Sequence, residues 1–216
     1  ENSMSETNPQ LKFKDWTKPG PIISGGEDRL ENGESLDAIS GFYSIYQYVD
    51  GHRFSTDDVL VAWFATSHAP RAERVLDLGS GIGSVAQIVA WRLPGAQFTT
   101  IEAQEKSIRL ARKSIERNQL SVRFDARFGD FRERGILNSN ENFDLITGSP
   151  PYWPTSDGVL SENDQKVACR FEMRGGVEAY CEVASKHLSP GGHFFLVFPR
   201  IQENRVLEGA RKNGLH

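Results

Sequence analysis

The most constraining feature of the chain is the run from residue 74 to residue 92, where a short apolar stretch, RVLDL, opens into Gly79-Ser80-Gly81-Ile82-Gly83 and then into SVAQIVAWR. A strand that passes through a glycine turn straight into an apolar helix must lay that helix back over its own sheet, which is the start of a right-handed crossover between parallel strands. The same alternation continues: QFTTIEA is a strand, EKSIRLARKSIERNQ an amphipathic helix, VRFDARFGD and FDLITG are strands, EAYCEVASKHL is a helix ended by SPGG, and HFFLVFP is a fifth strand. Strand-like and helical periods in strict succession predict an α/β fold with a doubly wound, mainly parallel sheet. HFFLVFP is expected to be buried on both faces. A sheet that stopped at this strand would expose an edge, so one or two further strands are expected beyond residue 216.

Upstream, residues 1–40 are polar and punctuated by Gly and Pro, and are read as an irregular arm ahead of a domain spanning 41–216. Within it, LKFKDW interleaves Lys12 and Lys14 with Phe13 and Trp16, and is read as solvated arm. FYSIYQYVDGHRF predicts a hairpin turning at Asp50-Gly51. Ser55 or Thr56 then caps a helix running to about His68, with Asp57 and Asp58 favourable in its first turn. Hydrophobic residues at 38% supply a core, and 25 Lys and Arg against 29 Asp and Glu give a formal net charge of -4. Such a chain has no global field for polyanions, so any nucleic-acid contact must be local. Without an apolar stretch of about 20 residues or a secretory layout at the start, no membrane contact is expected and the reading is a cytoplasmic or nuclear protein. Cys169 and Cys181, the two cysteines, fit neither a disulfide scaffold nor a zinc site, and no metal is expected.

The glycine turn reads as a nucleotide or nucleoside site, because glycine lets a ligand approach the backbone and the following helix offers free N–H groups. The dinucleotide fingerprint needs a glycine where Ser84 stands, and no phosphate-loop Lys follows. Asp77 precedes the turn, Glu102 ends the second strand and Asp130 ends the third, so three acids share the carboxyl edge where α/β folds bind ligands. Glu102 can accept both hydrogens of a ribose diol, whereas Asp77 repels a pyrophosphate and welcomes an ammonium group. A cationic nucleoside fits better than a dinucleotide. The pattern resembles the class I S-adenosylmethionine-dependent methyltransferases over residues 41–216. That resemblance implies a Rossmann-like methyltransferase sheet, with Asp77, Gly79, Gly81 and Gly83 at the methionine end of the cofactor, Glu102 at the ribose, and Asp130 with Phe131 at the adenine.

The strand FDLITG runs into Ser149-Pro150-Pro151-Tyr152-Trp153. Two prolines stiffen the loop while leaving carbonyls free. The Ser149 hydroxyl and Pro150 carbonyl can accept the two hydrogens of a planar amine, and Tyr152 can stack on the flat face that carries it. Pro151 and Trp153 are read as substrate-pocket walls. The segment is similar to the [N/D/S]-P-P-[Y/F/W] motif of amino-group methyltransferases acting on adenine, cytosine or glutamine amide. Upstream, GHRFSTDDVL from Gly51 resembles the G-[YHF]-R-F-S-x-D-x-x-L-L segment of the bacterial tRNA1(Val) adenine-N6 methyltransferase family, with Gln47 in register with its Q-x-x-x-G. Cys169-Arg170-Phe171-Glu172 is similar to its Arg-x-Glu stretch. The family's usual Asn is Ser149 here. The resemblance implies S-adenosylmethionine as cofactor and adenine N6 in an RNA as substrate, and Arg53 is read either as a partner of the cofactor carboxylate or as one half of a surface salt bridge. Two alternatives stay open: the same chemistry on a protein glutamine amide or small-molecule amine, and a cofactor-binding inactive partner subunit. The sequence assigns no oligomeric state.

Overall fold

The computed structural model describes residues 12–23, 28–152 and 176–216; Trp153 and the stretch from Cys169 to Glu172 lie outside them. Lys12–Phe13 (β1) and Trp16–Thr17 (β2) form a small antiparallel hairpin within the stretch read as irregular arm. A second hairpin joins Glu34–Ser40 (β3) to Tyr43–Tyr48 (β4). Its turn lies at Gly41, where φ is 53°, and not at Asp50-Gly51 as the sequence suggested. A Cβ on Gly41 would strike the Trp91 indole and the Pro19 carbonyl, so this turn takes a glycine for both its backbone angle and its contact. Asp50-Gly51 instead follows the hairpin, with the Gly51 N–H donating to the Tyr48 carbonyl at 3.3 Å.

The helix Thr56–His68 (α1) keeps the bounds the sequence predicted. Its capping box closes as Ser55 and Asp58 each serve the other's backbone N–H. There follow Arg74–Leu78 (β5), Ser84–Arg92 (α2), Gln97–Glu102 (β6), Glu105–Arg117 (α3), Phe124–Phe128 (β7), Phe143–Gly148 (β8), Val177–His187 (α4), Leu188–Leu196 (β9), a 3-10 turn at Arg200–Gln202 and Glu203–Lys212 (α5). The five strands β5 to β9 form one sheet in the order β7-β6-β5-β8-β9, with every neighbouring pair parallel. This is the doubly wound α/β sheet that the alternating periods predicted.

Period two along β5 decides what each face receives. Val75 packs with α1 and α2 residues such as Ala62, Ala65, Val85 and Val89, whereas Leu76 and Leu78 pack with Tyr180, Val183 and Ala184 of α4. Asp77 shares the parity of Val75, so its side chain belongs to the face that α1 and α2 cover. The second hairpin adds a smaller cluster in which Ile45 and Tyr46 meet Ile82 and Leu110.

One strand departs from expectation. HFFLVFP is expected to be buried on both faces, whereas β9 is intermediate to exposed along its length among the described residues, where it pairs with β8. Its strand begins earlier as well, taking in Ser189-Pro190-Gly191-Gly192 through an irregularity in the β8 register. Among the described residues no helix is long and apolar enough to cross a membrane, and no group of His, Cys, Asp and Glu could hold a metal ion.

Candidate active site

The central strands β6, β5 and β8 deliver their carboxyl ends to one place. Leu78 is paired with Ile101 on one side and Gly148 on the other, so the glycine turn and Ser149 leave the sheet side by side. In the turn Gly79, Gly81 and Gly83 have φ of 61°, 56° and 82°, all in the left-handed region that favours glycine. A Cβ on Gly79 would strike the Tyr180 hydroxyl, while one on Gly81 would meet open space. Gly79 is therefore required by packing, and Gly81 leaves its backbone open to approach.

Glu102 is buried and organises this turn. One carboxylate oxygen accepts the Gly81 N–H at 2.8 Å and the other the Gln104 N–H at 2.6 Å. Ser80 N–H donates to the Ile101 carbonyl at 3.0 Å, fastening the turn to the end of β6. Asp77 is buried at 2% exposure; one of its oxygens accepts the Thr147 hydroxyl at 2.8 Å, and the other has no hydrogen-bond partner among the described residues, although the Ala86 N–H of α2 lies near the carboxylate. Burial, with the carboxylates of Asp58 and Glu102 nearby, pushes the Asp77 carboxyl up to about 7, against hydrogen bonds that pull it down. An unpaired buried carboxylate oxygen is a costly feature unless a cation or donor meets it. The orphaned oxygen beneath an open glycine turn suits the ammonium and sulfonium charges of S-adenosylmethionine, so the residues present fit that cofactor.

At the end of β8, Gly148 lies so close beneath the Tyr180 ring that a Cβ would come within 2.7 Å of it. The next residue, Ser149, has a buried hydroxyl without a partner among the described residues, and Pro150 is buried. Pro151 and Tyr152 are half-buried. The Tyr152 ring stands edge-on to Phe198 at 5.8 Å, and its hydroxyl donates to the Asp57 carboxylate at 3.1 Å. Burial and the adjacent Asp57 charge push the Tyr152 phenol well above its ordinary value.

The remaining expected residues are placed less centrally. Asp130 lies two residues beyond β7 with its carboxylate held by the Arg132 guanidinium, and Phe131 is buried against Tyr180 at 4.7 Å. Arg53 is bound to the hairpin: its guanidinium donates to Asp37 at 3.0 Å and to Ser35 at 3.0 Å. Gln47 holds the same loop, donating to Asp37 and accepting the Phe54 N–H. Sequence reasoning missed Thr147, Asp57 and Asp58 as site residues. The two acids were visible only as first-turn charges, yet α1 begins where Asp58 is buried near Asp77 and Asp57 meets Tyr152.

Comparison with known proteins gives this arrangement a family. Residues 54–211 match the family described as methyltransferase small domain. A tRNA1(Val) (adenine(37)-N6)-methyltransferase of Christiangramia forsetii is 28% identical over 177 residues, covering 80% of this chain and 71% of that relative. A release factor glutamine methyltransferase of Geobacter sulfurreducens is 32% identical over 166 residues, covering 73% of this chain and 56% of that relative. Among solved structures, the T. thermophilus 16S rRNA N2 methyltransferase in complex with AdoMet and guanosine superposes with a TM-score of 0.59 at 24% identity. The match covers 82% of this chain and 45% of that one, so this chain spans less than half of that protein.

Proposed function

The chain belongs to the methyltransferase small domain family, an S-adenosylmethionine-dependent methyltransferase by fold and sequence, and we propose that it methylates an amino nitrogen, adenine N6 in an RNA. The observation that carries this reading is the Ser149 hydroxyl: buried, without a partner among the described residues, and followed by a rigid Pro-Pro step beside the glycine turn. When bound, S-adenosylmethionine supplies a methyl group on a sulfonium. Asp77 offers its orphaned oxygen to the positive charge of the methionine end, and the open Gly81 backbone leaves room for it. Glu102, held by two backbone N–H groups, would accept the hydrogens of the ribose diol, and Asp130 with Phe131 would take the adenine side.

An exocyclic amine donates its lone pair poorly while that pair is delocalised into the ring. Ser149 Oγ and the Pro150 carbonyl, by accepting its two N–H hydrogens, favour a pyramidal nitrogen whose lone pair is withdrawn from conjugation and directed from the ring face along the line of attack. The ring that carries the amine lies on Tyr152. With the amine so held by Ser149 and Pro150, its proton would leave to solvent only after transfer, so no general base would be required. Positioning supplies the rate, and a base within structured RNA must be unstacked to reach the site. The glutamine-amide reading is the second one, favoured by the release factor relative.

The test is incubation with methyl-labelled S-adenosylmethionine and separated pools of RNA, DNA, protein and metabolites. Label in RNA recovered as N6-methyladenosine, and lost in Ser149→Ala, is the expected result. Label in protein glutamine moves the assignment to the amide, and label in no pool refutes the activity.

A further inference from the structure

Tyr152 is held at both ends by residues from distant parts of the chain. Its hydroxyl donates to Asp57 at the start of α1, 95 positions away, at 3.1 Å. Its backbone carbonyl accepts the Gln202 side-chain amide at 2.6 Å, 50 positions away. Gln202 is fixed in turn, since its Oε1 accepts the Arg205 guanidinium at 2.7 Å and Arg205 forks onto both Glu178 oxygens at 2.8 Å. Arg205 also lies 5.9 Å from the Phe198 ring centre, the same ring that stands edge-on to Tyr152. A loop tyrosine that only closed off the sheet would need none of this. Three elements, α1, the 3-10 turn and α5, converge on one aromatic plane.

We infer that Asp57 and Gln202 are positioning residues that clamp Tyr152 from its two ends and so fix the plane on which the flat, amine-bearing substrate rests. The inference rests on the methyl-transfer reading for what lies on the ring, but the clamp itself does not. Asp57 is suited to the role because Asp58, not Asp57, closes the capping box, leaving the Asp57 carboxylate for the phenol. A charged acceptor fixes a phenol more firmly than a neutral one. Gln202 fixes the main chain just after the two prolines, where Tyr152 would otherwise pivot.

The experiment has two independent readouts. The chain has five tyrosines, so protein labelled with 3-fluorotyrosine should give a resolvable fluorine spectrum, with the Tyr152 resonance assigned by its loss in Tyr152→Phe. Asp57→Ala should displace that resonance and lower the pH at which its phenol ionises. Asp57→Asn, which keeps an oxygen acceptor, should restore the position in part. On the RNA substrate Asp57→Ala should lower kcat by about tenfold to a hundredfold, the range expected for losing a hydrogen bond to a charged group, with S-adenosylmethionine affinity unchanged. Gln202→Ala should do the same more weakly. The pair Asp57→Ala with Tyr152→Phe should be no worse than either alone. An unmoved Tyr152 resonance in both Asp57→Ala and Gln202→Ala overturns the clamp whatever the substrate proves to be. A moved resonance with unchanged kcat overturns the positioning role. If the wild-type protein methylates nothing, the functional reading fails and the fluorine spectrum alone decides the clamp.

Discussion

Replacing Asp77 by Asn should make the ligand-free protein more stable and a worse binder of its cofactor, by amounts that the structure lets one work out. Asp77 is fully enclosed, one oxygen lacks a well-formed hydrogen bond among the described residues, and its carboxyl is pushed from 3.8 up to about 7 by burial first and by Asp58 of α1 and Glu102 of β6 next, with the Thr147 hydroxyl and the nearby Ala86 N–H of α2 opposing. A raised carboxyl means that the folded state takes up a proton more readily than the unfolded one, so stability from this group is full at low pH and is lost as pH climbs from 3.8 through about 7. At about 1.4 kcal/mol for each tenfold change in the proton equilibrium, the cost of holding Asp77 ionised at pH 8 is about 4 kcal/mol, against less than about 1 kcal/mol at pH 4. Asn keeps the acceptor for Thr147 and carries no charge. The gain from Asp77→Asn should therefore grow from pH 4 to pH 8, reaching a rise in melting temperature of about 8 °C or more at about 2 to 4 °C per kcal/mol for a chain of this size. S-adenosylmethionine affinity should fall about tenfold to a hundredfold, because a charged acceptor is lost. Urea unfolding across this pH range and calorimetry of cofactor binding are the assays. Equal stability gain at pH 4 and pH 8, or none at either, refutes the argument that an unrelieved buried charge waits at this position for a cation.

Three further outcomes follow from contacts in the same site. Glu102→Ala should weaken cofactor binding by about 1 to 3 kcal/mol, measured by calorimetry, and should also loosen the glycine turn, since the Gly81 N–H loses its acceptor. Ser149→Ala should reduce turnover on the identified substrate while leaving cofactor affinity unchanged; normal turnover removes Ser149 from amine positioning. Gly148→Ala should destabilise the fold by about 1 to 3 kcal/mol in urea unfolding, because its methyl group would press within 2.7 Å of the buried Tyr180 ring and force that ring to shift.

Much of the scaffold was legible because its signals are local. RVLDL before three glycines, Ser55 or Thr56 as a cap ahead of first-turn acids, and the alternation of strand and helix periods each specify their element within a few residues of themselves. The hairpin was misplaced for the opposite reason. Asp50-Gly51 is the stronger turn signal, but Glu34–Ser40 has partners in β4 only if the chain reverses at Gly41, which Trp91 of a later helix packs against.

The acids show where a sequence reading of the site stops. Asp77, Glu102 and Asp130 could be gathered onto one edge because each stands at or near the end of a strand in a parallel sheet, and strand ends share a side by construction. Asp57 and Asp58 could not, because a helix N-terminus has no fixed place relative to that edge. Their role depends on which face α1 covers, and that is set by the parity of β5: Val75 turns toward α1 and α2, so Asp77, two residues on, turns toward them as well. Once Asp77 faces α1, the first turn of that helix must come close to it, and its two acids fall to different tasks by their spacing. Asp58, at the third helical position, folds back on Ser55 and is buried near Asp77, adding to the charge that raises its carboxyl. Asp57, one residue earlier and about 100° round the helix, points away from that pair and reaches Tyr152. One helix start thus feeds both halves of the site, the cation-accepting carboxylate and the aromatic platform: changes at Asp58 should move the titration of Asp77 and, through charge alone, that of Tyr152, whereas changes at Asp57 should remove the hydrogen bond that holds the Tyr152 hydroxyl.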